Sequence, residues 1–167
     1  MKDIEIEKKF LIRFPDEGFL QSLPGCECTE IEQIYLADCG SGFSERIRKR
    51  GSSGNYKYYH TKKRHITGMK RIEKECMITE DEYIELKKNA DPKLNAIYKK
   101  RYCIPYMGHT LEIDVFPFWR KQAYLEIELE SENEQYQLPD YIEIIKDVTW
   151  DGAYTNRALA REIPTED

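Results

Sequence analysis

The pattern that most constrains this chain is a charge at every second position of its extended segments. In the first of them, Ile4 and Ile6 alternate with Glu5 and Glu7, and Lys9 continues the polar series. Because side chains at i and i+2 lie on the same face of a strand, the pattern predicts a strand with one apolar and one charged face. Such a strand normally turns its apolar face to the core and its charges to water.

Most later extended segments repeat this alternation, and their charges are sorted by sign. Glutamates dominate the first segment and residues 123–130, whereas Arg and Lys dominate residues 43–50, 56–65 and 96–106. Segregated charges suit a polyanionic ligand bound together with divalent cations. We therefore expect the charged faces to point inward and the apolar faces to pack outward against helices. The charged positions are Glu5, Glu7, Lys9, Arg46, Arg48, Arg50, Lys57, Lys63, Arg71, Glu73, Glu75, Lys99, Arg101, Glu112, Asp114, Glu126, Glu128 and Glu130.

The breaks between these segments predict the fold class. Short up-and-down steps favour a closed antiparallel barrel over parallel βαβ units. We predict a mainly β (α+β) fold, an eight-stranded antiparallel β-barrel tunnel with a few covering helices. The predicted strands cover residues 4–13, 27–38, 43–50, 56–65, 70–79, 96–106, 110–116, 123–130 and 142–148. The predicted helices are a short one ending near Gln21, one capped by Thr79, a polar one over 132–138 and a terminal one over 154–161.

Composition narrows the class of protein. The chain has 167 residues, 12% of them aromatic, and we expect a single folded domain over 1–167. Its 26 Lys and Arg against 31 Asp and Glu give a net charge of −5, which does not support nucleic-acid binding. The five scattered cysteines favour reduced thiols. With a charged amino terminus and no apolar run of ~20 residues, we expect a cytoplasmic protein without membrane attachment.

Two E-x-E pairs predict a metal site. Carboxylates at i and i+2 start ~7 Å apart along a strand, and a neighbouring strand lies ~5 Å away. Two such pairs on adjacent strands would form a four-carboxylate patch that repels itself without a cation. Oxygen ligands in this number suit Mg²⁺ or Mn²⁺, with phosphate oxygens and waters completing the coordination.

The ordered motifs of the chain resemble those of the CYTH superfamily, the triphosphate tunnel metalloenzymes. EIEKK resembles the E-x-E-x-K of the first strand, and the later motifs follow in family order. The segment between the last two acidic strands departs from the family, which commonly has glycines where this chain has PFWRKQAY. The later motifs are RIRKR, TKK, RIEKE, KKRY, EIDVF, EIEL and, near the carboxyl end, DVTWDGAYTNRALA.

The resemblance implies a role for each matching residue. Three roles stay open for Glu73, Glu75, Glu112 and Asp114: orienting the bases, binding a second metal or positioning water. Arg50 is expected to face solvent, and Tyr154 and Asn156 to fix the terminal helix. The implied metal ligands are Glu5, Glu7, Glu126, Glu128 and, as a fifth, Asp114. The predicted catalytic residues are Glu5, Glu7, Lys9, Glu126 and Glu128. The implied substrate-binding residues are Lys9, Arg46, Arg48, Lys63, Arg71, Lys99 and Arg101.

Several functions are compatible with this resemblance. The first is metal-dependent hydrolysis of the terminal phosphate of inorganic triphosphate or a short polyphosphate, by a monomer or homodimer. A class IV adenylyl cyclase is the alternative, but those enzymes generally carry a His-Phe pair before the first motif, and only four residues precede Glu5. A nucleoside or thiamine triphosphatase and a non-catalytic polyphosphate sensor also remain open.

Overall fold

One antiparallel sheet dominates the computed structural model, which describes residues 4–67 and 69–166. Its strands are β1 (Ile4–Arg13), β2 (Glu27–Tyr35), β3 (Ser44–Ser52), β4 (Asn55–Thr67), β5 (Lys70–Ile78), β6 (Ile97–Tyr106), β7 (His109–Val115), β8 (Gln122–Glu128) and β9 (Ile144–Asp147). The helices are α1 (Glu17–Ser22), α2 (Glu80–Lys87) and α3 (Asn156–Arg161), and a 3-10 turn covers Gly152–Tyr154.

The sheet closes on itself to form a barrel. Its strand order is β5-β4-β3-β2-β6-β7-β8-β1, and β5 pairs again with β1. This closing seam joins Glu5 to Arg71, with Ile4 opposite Ile72 and Ile6 opposite Lys70. β9 pairs with β1 further along the same edge. The predicted eight-stranded antiparallel barrel is confirmed, with one additional strand.

The outward faces of the barrel carry its main apolar cores. Leu111, Ile113, Leu125 and Ile127 are fully buried outside the barrel wall, where Leu20 of α1 and the segment after β8 cover them. A second outer cluster packs Tyr83 of α2 against β2 and β3. The predicted inversion of faces is therefore confirmed for these strands, whose apolar side is covered by helices and loops. Ile4 departs from the expectation that the apolar face is covered, because it is 51% exposed, whereas Ile6 is buried.

An aromatic cluster closes one end of the barrel interior. Leu11 and Tyr124 lie on the same strand faces as Lys9 and Glu126, and they pack with Phe116, Trp119 and Leu159 of α3. Trp119 belongs to the loop between β7 and β8, and its indole Nε1 donates to the carbonyl oxygen of Pro164 at 3.1 Å. The loop thus anchors the segment after α3 to the closed end.

Two helix predictions need correction. Residues 132–138 are not helical, because Tyr136 and Leu138 pack on the outer core, where the Tyr136 ring meets Phe10 at 6.3 Å between centroids. The terminal α-helix begins at Asn156, after Thr155 caps it by accepting from the amide of Ala158. The five cysteines are free thiols, as predicted. None of the described helices is long and apolar enough to span a membrane.

The assignment of faces can be tested on two adjacent residues of β8. Ile127→Ala should lower the free energy of unfolding by about 2–5 kcal/mol, because it leaves a cavity in the outer core. Glu128→Gln should change it by less than about 0.5 kcal/mol or raise it, because Glu128 faces the interior beside Glu5 and Glu112. Urea unfolding measures both; comparable losses in the two variants would contradict the assignment.

Candidate functional site

The charged inner faces enclose a cavity of about 380 Å³. All eight strands of the closed barrel contribute to its wall, and several residues between Val148 and Arg157, after β9, complete the lining. Among the predicted site residues, those lining the cavity are Glu5, Glu7, Lys9, Arg46, Arg48, Lys63, Arg71, Arg101, Glu126 and Glu128. The structure thus brings together ten of these twelve residues, from strands far apart in sequence. Lys99 and Asp114 are the two outside the cavity lining.

Lys99 and Asp114 form a buried layer of the wall. Asp114 is fully buried, and its carboxylate accepts from Lys99 Nζ at 2.8 Å and from Arg101 Nε and Nη2 at 2.8 and 2.9 Å. Burial alone would raise the pKa of Asp114, but Arg101 and Lys99 hold it well below its usual range. Among the three roles left open for Asp114, this geometry favours orienting the bases over holding metal.

Arg101 links three carboxylates across β6, β7 and β8. Besides its two bonds to Asp114, it donates from Nη1 to Glu112 at 2.9 Å and from Nη2 to Glu126 at 3.4 Å. Burial opposes the charge of Arg101, but Asp114 and Glu112 raise its pKa well above the usual value. A guanidinium shared in this way fixes two members of the acidic side of the cavity. We call this side the acidic wall; it consists of Glu5, Glu7, Glu112, Glu126 and Glu128.

The first E-x-E pair faces bases from β4 and β5. Lys63 Nζ lies 3.0 Å from Glu5 Oε1, and Arg71 Nη1 lies 3.1 Å from Glu7 Oε1. Burial would raise the pKa of Glu5, but Lys63, Glu73 and Arg46 together outweigh it and lower the pKa to about 2. Burial and then Glu126 and Glu5 raise the pKa of Glu7 well above its usual range. The crowding of carboxylates is therefore concentrated at Glu7.

The second E-x-E pair lies directly opposite other carboxylates. In the strand register Glu7 faces Glu128, and Glu112 faces Glu126. Like charges placed directly opposite destabilise a sheet. Lys9 and Arg101 offset burial at Glu126 and lower its pKa to about 2, whereas burial and Glu5 raise that of Glu128. Because Glu112 and Glu128 also line a neighbouring groove, the acidic end of the cavity is open.

The opposite side of the cavity, the basic wall, contains buried hydrogen-bond donors on β3 that have no partner. It consists of Arg46, Arg48, Arg50, Lys63 and Arg71. Arg48 Nη2 lies 3.0 Å from Glu75, which also accepts from Thr61, while Arg46 approaches Glu73 only at 4.0 Å. Among the described residues, the Nε atoms of Arg46 and Arg48 are buried and lack a hydrogen-bond partner. Buried donors are normally satisfied, so these two nitrogen atoms are exceptions in the wall of the cavity.

Three further residues line the cavity although the motifs gave them other roles. Arg50 was expected to face solvent; instead it lines the cavity and donates to Thr29 Oγ1 at 3.1 Å. Its alternation with Arg46 and Arg48 was the signal that could have placed it. Tyr154 and Asn156, expected to fix the terminal helix, also line the cavity.

Arg157 also lines the cavity, and sequence analysis did not single it out. It reaches the wall because α3 folds back against the barrel, where its Nη1 donates to Ser44 Oγ at 3.3 Å. This contact spans more than a hundred residues of sequence, so no local pattern could have indicated it.

The acidic wall fits a hard divalent cation by its donor chemistry. Carboxylate oxygens are the ligands that Mg²⁺ and Mn²⁺ prefer, and a cation would relieve the repulsion at Glu7. Within residues 4–67 and 69–166, however, no three His, Cys, Asp or Glu side chains are already arranged to hold one. Glu5 and Glu7 are turned toward Lys63 and Arg71 instead.

The chain resembles solved structures, although it matches no family model and no curated protein. The inorganic triphosphatase NE1496 is similar, with a TM-score of 0.59 and 27% identity, over 96% of this chain and 97% of that one. The neighbour covers nearly the whole of both chains.

Two more distant neighbours share the fold. PH1012 from Pyrococcus horikoshii OT3 has a TM-score of 0.57 at 24% identity, over 77% of this chain and 80% of that one. The putative adenylyl cyclase HpAC1 from Hippeastrum, described as having a dominant triphosphatase activity, has a TM-score of 0.53 at 14% identity, over 75% and 80%. These two neighbours show that the fold is shared, and the likeness to NE1496 at 27% identity is in line with the resemblance that the ordered motifs indicate.

The wall geometry predicts unequal roles for two arginines. Arg101→Met should lower the free energy of unfolding by about 3–5 kcal/mol, because it leaves Asp114, Glu112 and Glu126 short of a buried partner. Arg46→Met removes the same charge from a longer contact of 4.0 Å and should lower it by less than about 1 kcal/mol. Chemical denaturation of both variants checks this; equal losses would refute the framework role of Arg101.

Proposed function

We propose that this protein is a divalent-metal-dependent triphosphatase that removes the terminal phosphate of inorganic triphosphate or a short polyphosphate. The observation that carries the proposal is the separation of an acidic wall from a basic wall within one cavity. The resemblance to the inorganic triphosphatase NE1496 over nearly the whole chain supports it. The acidic wall consists of Glu5, Glu7, Glu112, Glu126 and Glu128, and the basic wall of Arg46, Arg48, Arg50, Lys63 and Arg71.

The basic wall suits phosphate oxygens. Arginine guanidinium groups donate in a planar fork that matches two phosphate oxygens, whereas a lysine acts as a compact charge. Arg46 and Arg48 offer unpaired Nε donors inside the cavity. Lys9 extends this set toward the acidic wall, where its ammonium lies 4.0 Å from the centroid of the Tyr124 ring. Several anionic groups in a row could be held along this surface.

The residues that would hold Mg²⁺ or Mn²⁺ are Glu5, Glu7, Glu126 and Glu128. A divalent cation bound there supplies charge neutralisation for the phosphate and activation of water. Asp114, predicted as a fifth ligand, is better assigned to positioning Lys99 and Arg101, since both of its oxygens are bonded to them. For the same reason Lys99 acts through Asp114 and not by direct contact with substrate.

The closed end of the barrel limits what can enter. Leu11, Phe116 and Tyr124 fill the interior beyond Lys9 and Glu126. A ligand in the cavity therefore stops at this apolar layer, which also keeps bulk water from the buried ends of Lys9 and Glu126. The bases that line the cavity, on the ligand's side of this layer, would hold the reacting group against the acidic wall.

Hydrolysis of tripolyphosphate tests the proposal. The protein should release orthophosphate with Mg²⁺ or Mn²⁺, and chelation with EDTA should abolish release. Glu126→Gln should lower kcat at least about 100-fold, since even residues that only orient metal ligands are worth about 10–100-fold. Glu143→Gln, which removes an exposed carboxylate paired with Arg13 outside the barrel, is the matched control and should retain full activity.

A substrate panel separates this function from the alternatives. Tripolyphosphate, ATP and thiamine triphosphate are incubated with each metal, and the products are resolved. Orthophosphate from tripolyphosphate supports the proposal, whereas cyclic AMP and pyrophosphate from ATP would identify a cyclase. Binding of tripolyphosphate without turnover under every metal condition would identify a sensor and overturn the proposal.

A further inference from the structure

The residues expected to bind two different ligands bind each other in this cavity. Lys63 Nζ lies 3.0 Å from Glu5, and Arg71 Nη1 lies 3.1 Å from Glu7 and 3.9 Å from Glu5. The two glutamates belong to the acidic wall, and the two bases belong to the basic wall. One oxygen of each glutamate in the first E-x-E pair is therefore in contact with an ammonium or guanidinium group, at the carboxylates that a cation would need.

We propose that Lys63 and Arg71 are place-holders for the metal ion at Glu5 and Glu7, and that metal binding releases them to the phosphate groups. This inference rests on the proposed function and adds to it an order of contacts. Without ligands, the two bases occupy oxygen atoms of the two glutamates; with a cation on the carboxylates, the same two bases are free to turn toward an anion.

Lys63 and Arg71 are more exposed to solvent than Arg101, the base that links the buried carboxylates. About a fifth of each side chain is exposed, 22% for Lys63 and 21% for Arg71. The Arg101 side chain is only 9% exposed and is bonded to three carboxylates. Separating a partly solvated ion pair costs less free energy than separating a buried one, because water can reach the charges while they are unpaired. Lys63 and Arg71 can therefore change partners while Arg101 stays in place.

The arrangement couples the two ligands thermodynamically. A cation that binds alone must break the Lys63 and Arg71 contacts, and a polyphosphate that binds alone must break the same contacts from the other side. Whichever ligand binds first removes this barrier for the second, and the coupling is reciprocal. Each single ligand should therefore bind the native cavity more weakly than it binds a cavity from which the opposing partner has been removed.

The first test measures Mn²⁺ binding in phosphate-free buffer, with free Mn²⁺ followed by electron paramagnetic resonance. Lys63→Met and Arg71→Met should each bind Mn²⁺ about tenfold more tightly than the native protein, within the usual range of coupling between ligands. Arg50→Met is the matched control, since it removes a charge from the same cavity but contacts Thr29 and Cys103. It should change the affinity less than about threefold.

The reciprocal test measures tripolyphosphate binding by calorimetry in EDTA, so that no metal complex of the ligand forms. Glu5→Gln and Glu7→Gln should each bind tripolyphosphate more tightly by a similar factor. Glu128→Gln removes the same charge directly opposite Glu7 in the strand register and serves as control. Its affinity should remain close to that of the native protein.

The outcomes distinguish this inference from the proposed function. Equal Mn²⁺ affinities in all variants, or an equal gain in Arg50→Met, would overturn the place-holder role while hydrolysis remained intact. Native protein that binds neither Mn²⁺ nor tripolyphosphate would overturn both. Circular dichroism confirms that each variant is folded, and Lys63→Gln replaces Lys63→Met if the apolar side chain disturbs the wall.

Discussion

The buried pairing of Arg101 with Asp114 is the interaction on which the rest of the cavity depends. A barrel that turns its charges inward must give each deeply buried charge a partner, because an unpaired one is strongly destabilising. Arg101 supplies that partner to Asp114, Glu112 and Glu126 at once, and Asp114 in turn holds Lys99. The positions of Glu112 and Glu126 in the acidic wall, and of Lys99 beside Asp114, follow from this one group.

Inward charge shifts the source of stability to the outside of the barrel. The apolar side chains of β1, β6, β7 and β8 are buried beneath α1 and the segment after β8, and those of β2 and β3 beneath α2. The barrel therefore depends on its covering elements in a way that a barrel with an apolar interior does not. This division leaves the interior free to carry groups selected for chemistry and not for packing.

Alternation was sufficient to predict the strands and most of the cavity lining, because a period of two fixes both the element and the face. It did not predict what each side chain contacts. Asp114 shares its face with cavity residues, yet two bases occupy its oxygens. Arg157 enters through the docking of α3, and residues 132–138 are not helical, because Tyr136 and Leu138 reach the outer core. These outcomes depend on contacts between distant segments, which no local pattern contains.

The ion pairs of the cavity fall into two classes that differ in burial, and the difference decides what each can do. Asp114 is fully buried with Lys99 and Arg101, so separating them would leave a charge without water or a partner. The pairs of Glu5 with Lys63 and Glu7 with Arg71 retain some solvent, so their members can exchange partners at a smaller loss of free energy. The closing seam between β1 and β5 puts this second class where the two walls meet. The buried class therefore sets the shape of the cavity, and the partly solvated class is the one able to respond to ligands.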